Sequence, residues 1–232
     1  MKKISSLMAA LFVMLSPITF AEVLEVYSWK ALPGKGSDLI QNMVEAAGIH
    51  TELGAVINIY QRDVGSTYQG FDYVMRWDDP ISWATSRENA AKSPELLRFF
   101  QKVSRRPSGE LVNSLEGINL NPATSANSFG DINVFRVYVW DPAPGKTQQL
   151  LENFATAEKI HESLGARVES YAEGIGGTGN YHYTMGFENW AALADFFLKL
   201  AVSEEWAAFQ ASTNDEDATL ISSSQASALN SN

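Results

Sequence analysis

The sequence predicts an α+β fold in which one antiparallel unit is written twice in tandem, and three observations predict it. First, Val26-Tyr27-Ser28-Trp29 returns as Val137-Tyr138-Val139-Trp140, at an offset of 111 (140 − 29). The same offset aligns Pro33-Gly34-Lys35 with Pro144-Gly145-Lys146, His50 with His161, Leu53-Gly54-Ala55 with Leu164-Gly165-Ala166, Tyr60 with Tyr171 and Gly65 with Gly176. At an offset of 110 (185 − 75), Met75 meets Met185, Trp77 meets Phe187, Ser93 meets Ser203 and Phe99 meets Phe209. Second, the hydrophobic period changes between strand and helix in the same order in both copies. Third, the 232 residues contain no Cys, so stability rests on packed cores rather than disulfides.

The elements follow in order. Leu24 to Trp29 alternates as a strand, and a Pro-Gly turn follows. Leu39, Ile40, Met43, Val44 and Ala47 then recur at helical spacing, and Gly48 and Gly54 bracket the helix end. Ala55 to Arg62 alternates again, and Tyr68 to Trp77 makes a third strand. Asp79-Pro80 opens a second helix, whose counterpart is marked by Trp190, Leu193, Ala194, Phe197 and Ala201. Ser93-Pro94-Glu95 and Ser203-Glu204-Glu205 read as caps that open a short further helical turn. Strand, helix, strand, strand, helix is the order of a ferredoxin-like half, completed by a further strand near Gly109 to Leu120 in the first copy. The expected boundaries are a signal peptide at 1–21, a first repeat at 22–120, a linker at 121–131, a second repeat at 132–213 and a frayed C-terminal tail at 214–232.

The N-terminal reading rests on Lys2 and Lys3, the mostly apolar run Ile4 to Phe20, and the small residue Ala21 before Glu22. Ser5, Ser6, Ser16 and Pro17 interrupt a run that barely reaches the ~18–20 apolar residues of a membrane span. Cleavage after Ala21 and a periplasmic or secreted location are expected. Loss of Lys2 and Lys3 takes the net charge from −10 to −12, and no basic stripe offsets it, which argues against nucleic-acid or anionic-membrane partners. The absence of Cys also excludes thiol catalysis and thiolate metal sites.

The strand with Tyr27 and Trp29, the Pro33-Gly34-Lys35 turn, the helix ending at His50 before Leu53-Gly54-Ala55, and their second copies resemble the dimeric α/β-barrel superfamily. Members include NIPSNAP-like and antibiotic-biosynthesis-monooxygenase-like proteins, in which two ferredoxin-like units pack their sheets together. The resemblance covers nearly all of the chain after residue 21, but its motifs are architectural and bear on fold more than on reaction. It implies a single-chain pseudo-dimeric α/β barrel acting as a monomer. It also implies an alternative function, a cofactor-independent monooxygenase acting on an aromatic substrate.

Alternation along the strands sorts side chains onto two faces. Leu24, Val26, Ile57, Ile59, Phe135, Val137, Val139 and Val168 share the face expected under the helices. The other face carries Glu25, Tyr27, Trp29, Asn58, Tyr60, Arg62, Arg136, Tyr138, Trp140, Glu169, Tyr171 and Glu173, expected inside the barrel. All of these except Asn58 are candidate ligand-binding residues of a polar, aromatic-walled cavity for a small molecule. The competing readings are structural ion pairs or a solvated sheet face, and a barrel filled by its own side chains in a structural or interaction protein. Opposite charges fall at equivalent positions, Glu25 with Arg136 and Arg62 with Glu173.

His50 and His161 are read as helix C-terminal residues, His182 as a strand residue and Gly174 to Gly179 as a hairpin. No histidine set or nucleophile elbow is present, and neither a cofactor nor a metal is expected. The function read from the sequence is small-molecule binding, with the catalytic residues unassigned.

Overall fold

The computed structural model describes residues 21–66, 68 and 70–229, and residues 1–20 of the expected signal peptide lie outside them. The chain runs β1 (Val23–Ala31), α1 (Gly36–Glu52), β2 (Val56–Arg62), β3 (Gly70–Trp77), α2 (Pro80–Lys92), α3 (Pro94–Arg105) and β4 (Gly109–Asn119). A 3-10 turn at Ala126–Phe129 leads to β5 (Val134–Pro142), α4 (Thr147–Ser163), β6 (Arg167–Glu173), β7 (Tyr181–Phe187), α5 (Trp190–Leu200), α6 (Glu204–Ser212) and β8 (Ala218–Ala228).

The eight strands close into an antiparallel barrel in the order β1-β3-β2-β8-β5-β7-β6-β4. Within it, β4-β1-β3-β2 and β8-β5-β7-β6 have the same connectivity. Two short seams join them, Tyr60–Arg62 of β2 with Ala226–Ala228 of β8, and Gly117–Asn119 of β4 with Tyr171–Glu173 of β6. Each seam is lengthened by a turn. Asp63 donates its N–H to the Gln225 carbonyl and Gln225 donates to Val64, at 2.8 and 2.9 Å. Glu116 likewise donates to Ile175, and Gly174 donates back to Glu116. Gly65 and Gly176 sit in these turns at φ of +89° and +84°, and a Cβ there would come within 2.2 Å of the Ser223 carbonyl or 2.3 Å of the Ser114 carbonyl. Only glycine meets both demands, the left-handed backbone and the close approach to the neighbouring strand.

The starts of α2, α3, α5 and α6 are set by short polar side chains, whereas α1 and α4 begin at Lys35 and Lys146 without a side-chain cap. Asp79 Oδ1 accepts the N–H groups of Ile81 and Ser82, with Pro80 in the first turn. Ser93 and Ser203 each accept the N–H three residues on, from Leu96 and Trp206.

Three cores result. Leu39, Met43 and Ile49 of α1 and Phe99 of α3 pack on Tyr73, Met75 and Trp77 of β3. Leu150 and Phe154 of α4 and Phe196 of α5 pack on Tyr183, Met185 and Phe187 of β7. The third core is the barrel interior, where Tyr60, Val74, Phe129 and Phe135 cluster with Val26 and Ala226.

Three expectations are corrected. The segment expected to fray holds β8, because strand pairing along all of β5 supplies what its Ser-rich sequence lacks in apolar burial. The expected linker, 121–131, is a plug: Thr124, Ala126 and Phe129 are buried, and the Phe129 ring lies 3.9 Å from the Arg76 guanidinium and 5.2 Å from that of Arg167. The faces of β1 and β5 are exchanged. Tyr27, Trp29, Tyr138 and Trp140 pack with the helices, and Val26 and Phe135 point into the barrel, whereas β2 and β6 face as expected. An aromatic ring covers apolar surface well whichever polar tip it carries, so alternation separates the faces without saying which is which.

Candidate functional site

The exchange of faces divides the residues predicted to converge in one cavity among several environments. Tyr60, Glu169 and Tyr171 face the barrel interior, which is filled. There the Arg76 guanidinium donates to Glu22 Oε1 at 2.7 Å and to Tyr171 Oη at 3.0 Å. Asn119 Nδ2 donates to Glu22 and to Glu169, and Thr124 donates to Glu169 at 2.8 Å. Glu22 is 0% exposed. Burial pushes the Tyr171 phenol up, so it stays protonated and able to donate. Arg167 donates to Glu169 Oε1 at 2.8 Å, so two guanidinium groups face two carboxylates and the network is structural, with its charges matched within it.

Arg62 and Glu173 lie at matching strand ends but pair within their own sheets. Arg62 Nε reaches both oxygens of Asp72 at 2.9 Å, and Ser28 donates to the same Asp72 at 2.6 Å. Glu173 Oε1 meets His182 Nε2 at 2.8 Å, and its Oε2 accepts the N–H groups of Thr178 and Asn180. Burial opposes ionisation of Glu173, but His182 and these N–H groups prevail and hold its carboxyl below the usual range. The glycine run is thus a hairpin that seats a carboxylate.

Glu25, Tyr27 and Trp29 lie beneath the first set of helices. Glu25 accepts from Trp83 Nε1 at 2.7 Å and from Tyr27 Oη at 2.8 Å, and Arg87 lies 2.9 Å away. At the corresponding positions of the second sheet and α5 stand Arg136 and Phe197, with the guanidinium 4.5 Å from the ring centroid. An ion pair under one set of helices is replaced by a cation–π contact under the other.

That replacement borders a cavity. A space of about 470 Å³ lies between the outer face of β5 and β7 and helices α4 to α6. Its walls are Tyr138, Trp140, Phe154, Phe197, Trp206 and Phe209. Its floor includes Ala157, His161, Tyr183 and Met185, and its rim is polar, with Asn153, Gln210, Thr213, Asn214, Asp215 and Asp217. Such a volume, apolar wall and sparse polar groups are those of small-molecule sites.

His161 is the distinctive group. Its Nδ1 bonds Tyr183 Oη at 2.8 Å, and its ring lies against Trp206 with centroids 4.6 Å apart. Nε2 is buried and has no hydrogen-bond partner among the described residues. Burial alone lowers the imidazole pKa to about 4, so it is neutral at pH 7. His50 makes the same 2.8 Å bond to Tyr73 under the other helices, where burial and then Arg87 lower its pKa.

Of the predicted site residues, Tyr138 and Trp140 line this cavity. Phe154, Ala157, Trp206 and Phe209 were missed. One signal was available: Leu150, Phe154, Ala157 and His161 recur at helical spacing and end in a histidine, so one face of α4 carries three apolar residues and one polar one. Among the described residues, no group of three or more His, Asp or Glu is placed to hold a metal, and no helix is long and apolar enough to cross a membrane.

The fold is shared with solved structures. A candidate monooxygenase from Fusobacterium nucleatum superposes with a TM-score of 0.60 at 12% sequence identity, covering 91% of this chain and 94% of that one. A candidate chlorite dismutase gives 0.58 at 14%, covering 90% and 95%. An anthrone oxidase-like protein gives 0.52 at 13%, covering 91% and 92%. The chain therefore has the ferredoxin-like α+β fold of chlorite dismutase-like and monooxygenase-like structures. No protein-family model matches it, and no curated protein matches it in sequence.

Proposed function

We propose that the protein binds a small aromatic molecule in the cavity between the second sheet and α4 to α6. The observation that carries this reading is an aromatic-walled space of about 470 Å³. His161 Nε2 is closed off by its neighbours, so the aromatic walls, not this nitrogen, supply the contact surface for the ligand. Trp140 and Trp206 line the space and report occupancy by fluorescence. The test is titration with 2-naphthol. Quenching should saturate in the native protein, and Ala157→Phe, which fills the floor, should weaken it at least tenfold. Equal quenching of both proteins would remove the proposal.

Oxidation of the bound aromatic is a second reading, favoured by the names of the monooxygenase and anthrone oxidase-like neighbours. His161 is a poor general base for it, because an imidazole titrating at about 4 accepts little of a proton from a phenol of pKa ~10. Binding is thus the first reading. We further propose export with cleavage after Ala21, and origin of the chain as a fused duplication acting as a monomeric pseudo-dimer. Export is supported by Lys2 and Lys3, the mostly apolar run Ile4 to Phe20 and the small residue Ala21. Duplication is supported by the matched connectivity of the two halves.

A further inference from the structure

We infer that the ligand is an aromatic amine or another aromatic hydrogen-bond donor, cationic or neutral, and that aromatic carboxylates are rejected. This inference rests on the proposed cavity and concerns its chemistry. The charged side chains lining that cavity are Asp215 and Asp217; Arg136, whose guanidinium lies against the Phe197 wall, is seven residues before Ala143, whose N–H the Asp217 backbone carbonyl accepts, so about 20 Å of strand separates its backbone from the acidic end. Asp217 is buried at the rim, in the loop that enters β8. Lys146, at the start of α4, lies 2.8 Å from Asp217 Oδ1 with about half of its side chain exposed, and it balances one of the two charges. Asp215 is exposed and makes no ion pair among the described residues. The remaining rim groups, Asn153, Gln210, Thr213 and Asn214, are neutral, and His161 on the floor is uncharged at pH 7.

An aromatic body placed against Trp206 and Phe154 therefore carries its substituent toward net negative charge. A carboxylate offers about four acceptor positions, and Asp217 Oδ1, ion-paired with Lys146, accepts no hydrogen bond among the described residues. An ammonium, amine or hydroxyl at the rim finds an acceptor there. A ligand carboxylate finds repulsion in a partly desolvated space, where it is screened less than at an open surface.

The test compares three probes that share one ring system: 2-naphthylmethylammonium, 2-naphthylmethanol and 2-naphthoate. Each is titrated into the full protein by calorimetry at pH 7 and low salt. The ammonium should bind at least tenfold more tightly than naphthoate, with the alcohol between them. Asp217→Asn should cut that ratio severalfold. Asp215→Asn, an exposed substitution with little bearing on folding, should cut it by a smaller factor. Naphthoate binding as tightly as the ammonium overturns the inference while leaving the cavity reading in place. If none of the three binds, the cavity reading falls and takes the inference with it.

Discussion

His161 shows how much one residue's surroundings decide. Free in an unfolded chain, its imidazole titrates near 6.5; against Trp206, Phe196 and Tyr183 it titrates at about 4. Between those values the unfolded state binds a proton that the native state excludes. Stability from this group is therefore fully present above about pH 6.5 and is lost as the pH falls toward 4, by about 3 kcal/mol in total. Urea unfolding at pH 7 and pH 4.5 should show a loss in the native protein that is smaller in His161→Gln by about 2–3 kcal/mol. His50, whose pKa burial and then Arg87 lower, is present in both proteins and cancels from the difference. An equal loss in both would mean that His161 is not desolvated.

Two helices with the same cap can carry different consequences. Ser93 caps α3 by accepting from Leu96, and Ser203 caps α6 by accepting from Trp206. Replacing either serine by alanine should cost about 1 kcal/mol of stability in urea. Only Ser203→Ala should also weaken 2-naphthol binding, because the residue whose N–H it holds is a wall of the cavity. Equal binding by Ser93→Ala and Ser203→Ala would show that the seat of Trp206 does not depend on its cap. The caps themselves were legible as Ser-Pro-Glu and Ser-Glu-Glu, because capping is a local interaction between a short polar side chain and the next backbone N–H groups. The further helical turn expected after Ser93 extends to twelve residues because Leu96 and Phe99 find a core to enter.

The halves of the molecule are joined through the barrel interior as well as through the two seams. Glu22, Arg76 and Asn119 come from one half, Glu169 and Tyr171 from the other, and Thr124 and Phe129 from the segment between them. Removing one member leaves its partner charged and buried. Arg76→Met should destabilise by about 3–5 kcal/mol, and Glu22→Gln combined with Arg76→Met should regain much of that loss. Urea midpoints of the two single variants and the double variant check this, and additive losses would show that Glu22 and Arg76 act independently.

Periodicity and the Trp29/Trp140 offset determined the order of the first three strands and two helices in each half, because amphipathic spacing is written into neighbouring residues. The residues matched at the offset of 110, Met75 with Met185 and Trp77 with Phe187, are all buried at equivalent places in the two cores. The tertiary structure alone decided which face of β1 and β5 turned inward. A Tyr or Trp side chain packs under a helix as readily as it lines a cavity, so Glu25, Tyr27 and Trp29 could not be assigned a side from their own strand. The structure alone also made a strand of Ala218–Ala228, whose Ser-rich run becomes ordered through hydrogen bonds to β5 and β2 that lie far away in sequence. The candidate site belongs to the second kind of decision: Tyr138 and Trp140, expected inside the barrel, meet His161, Trp206 and Asp217 only because α4, α6 and the entry to β8 surround one space on the outer face of the sheet.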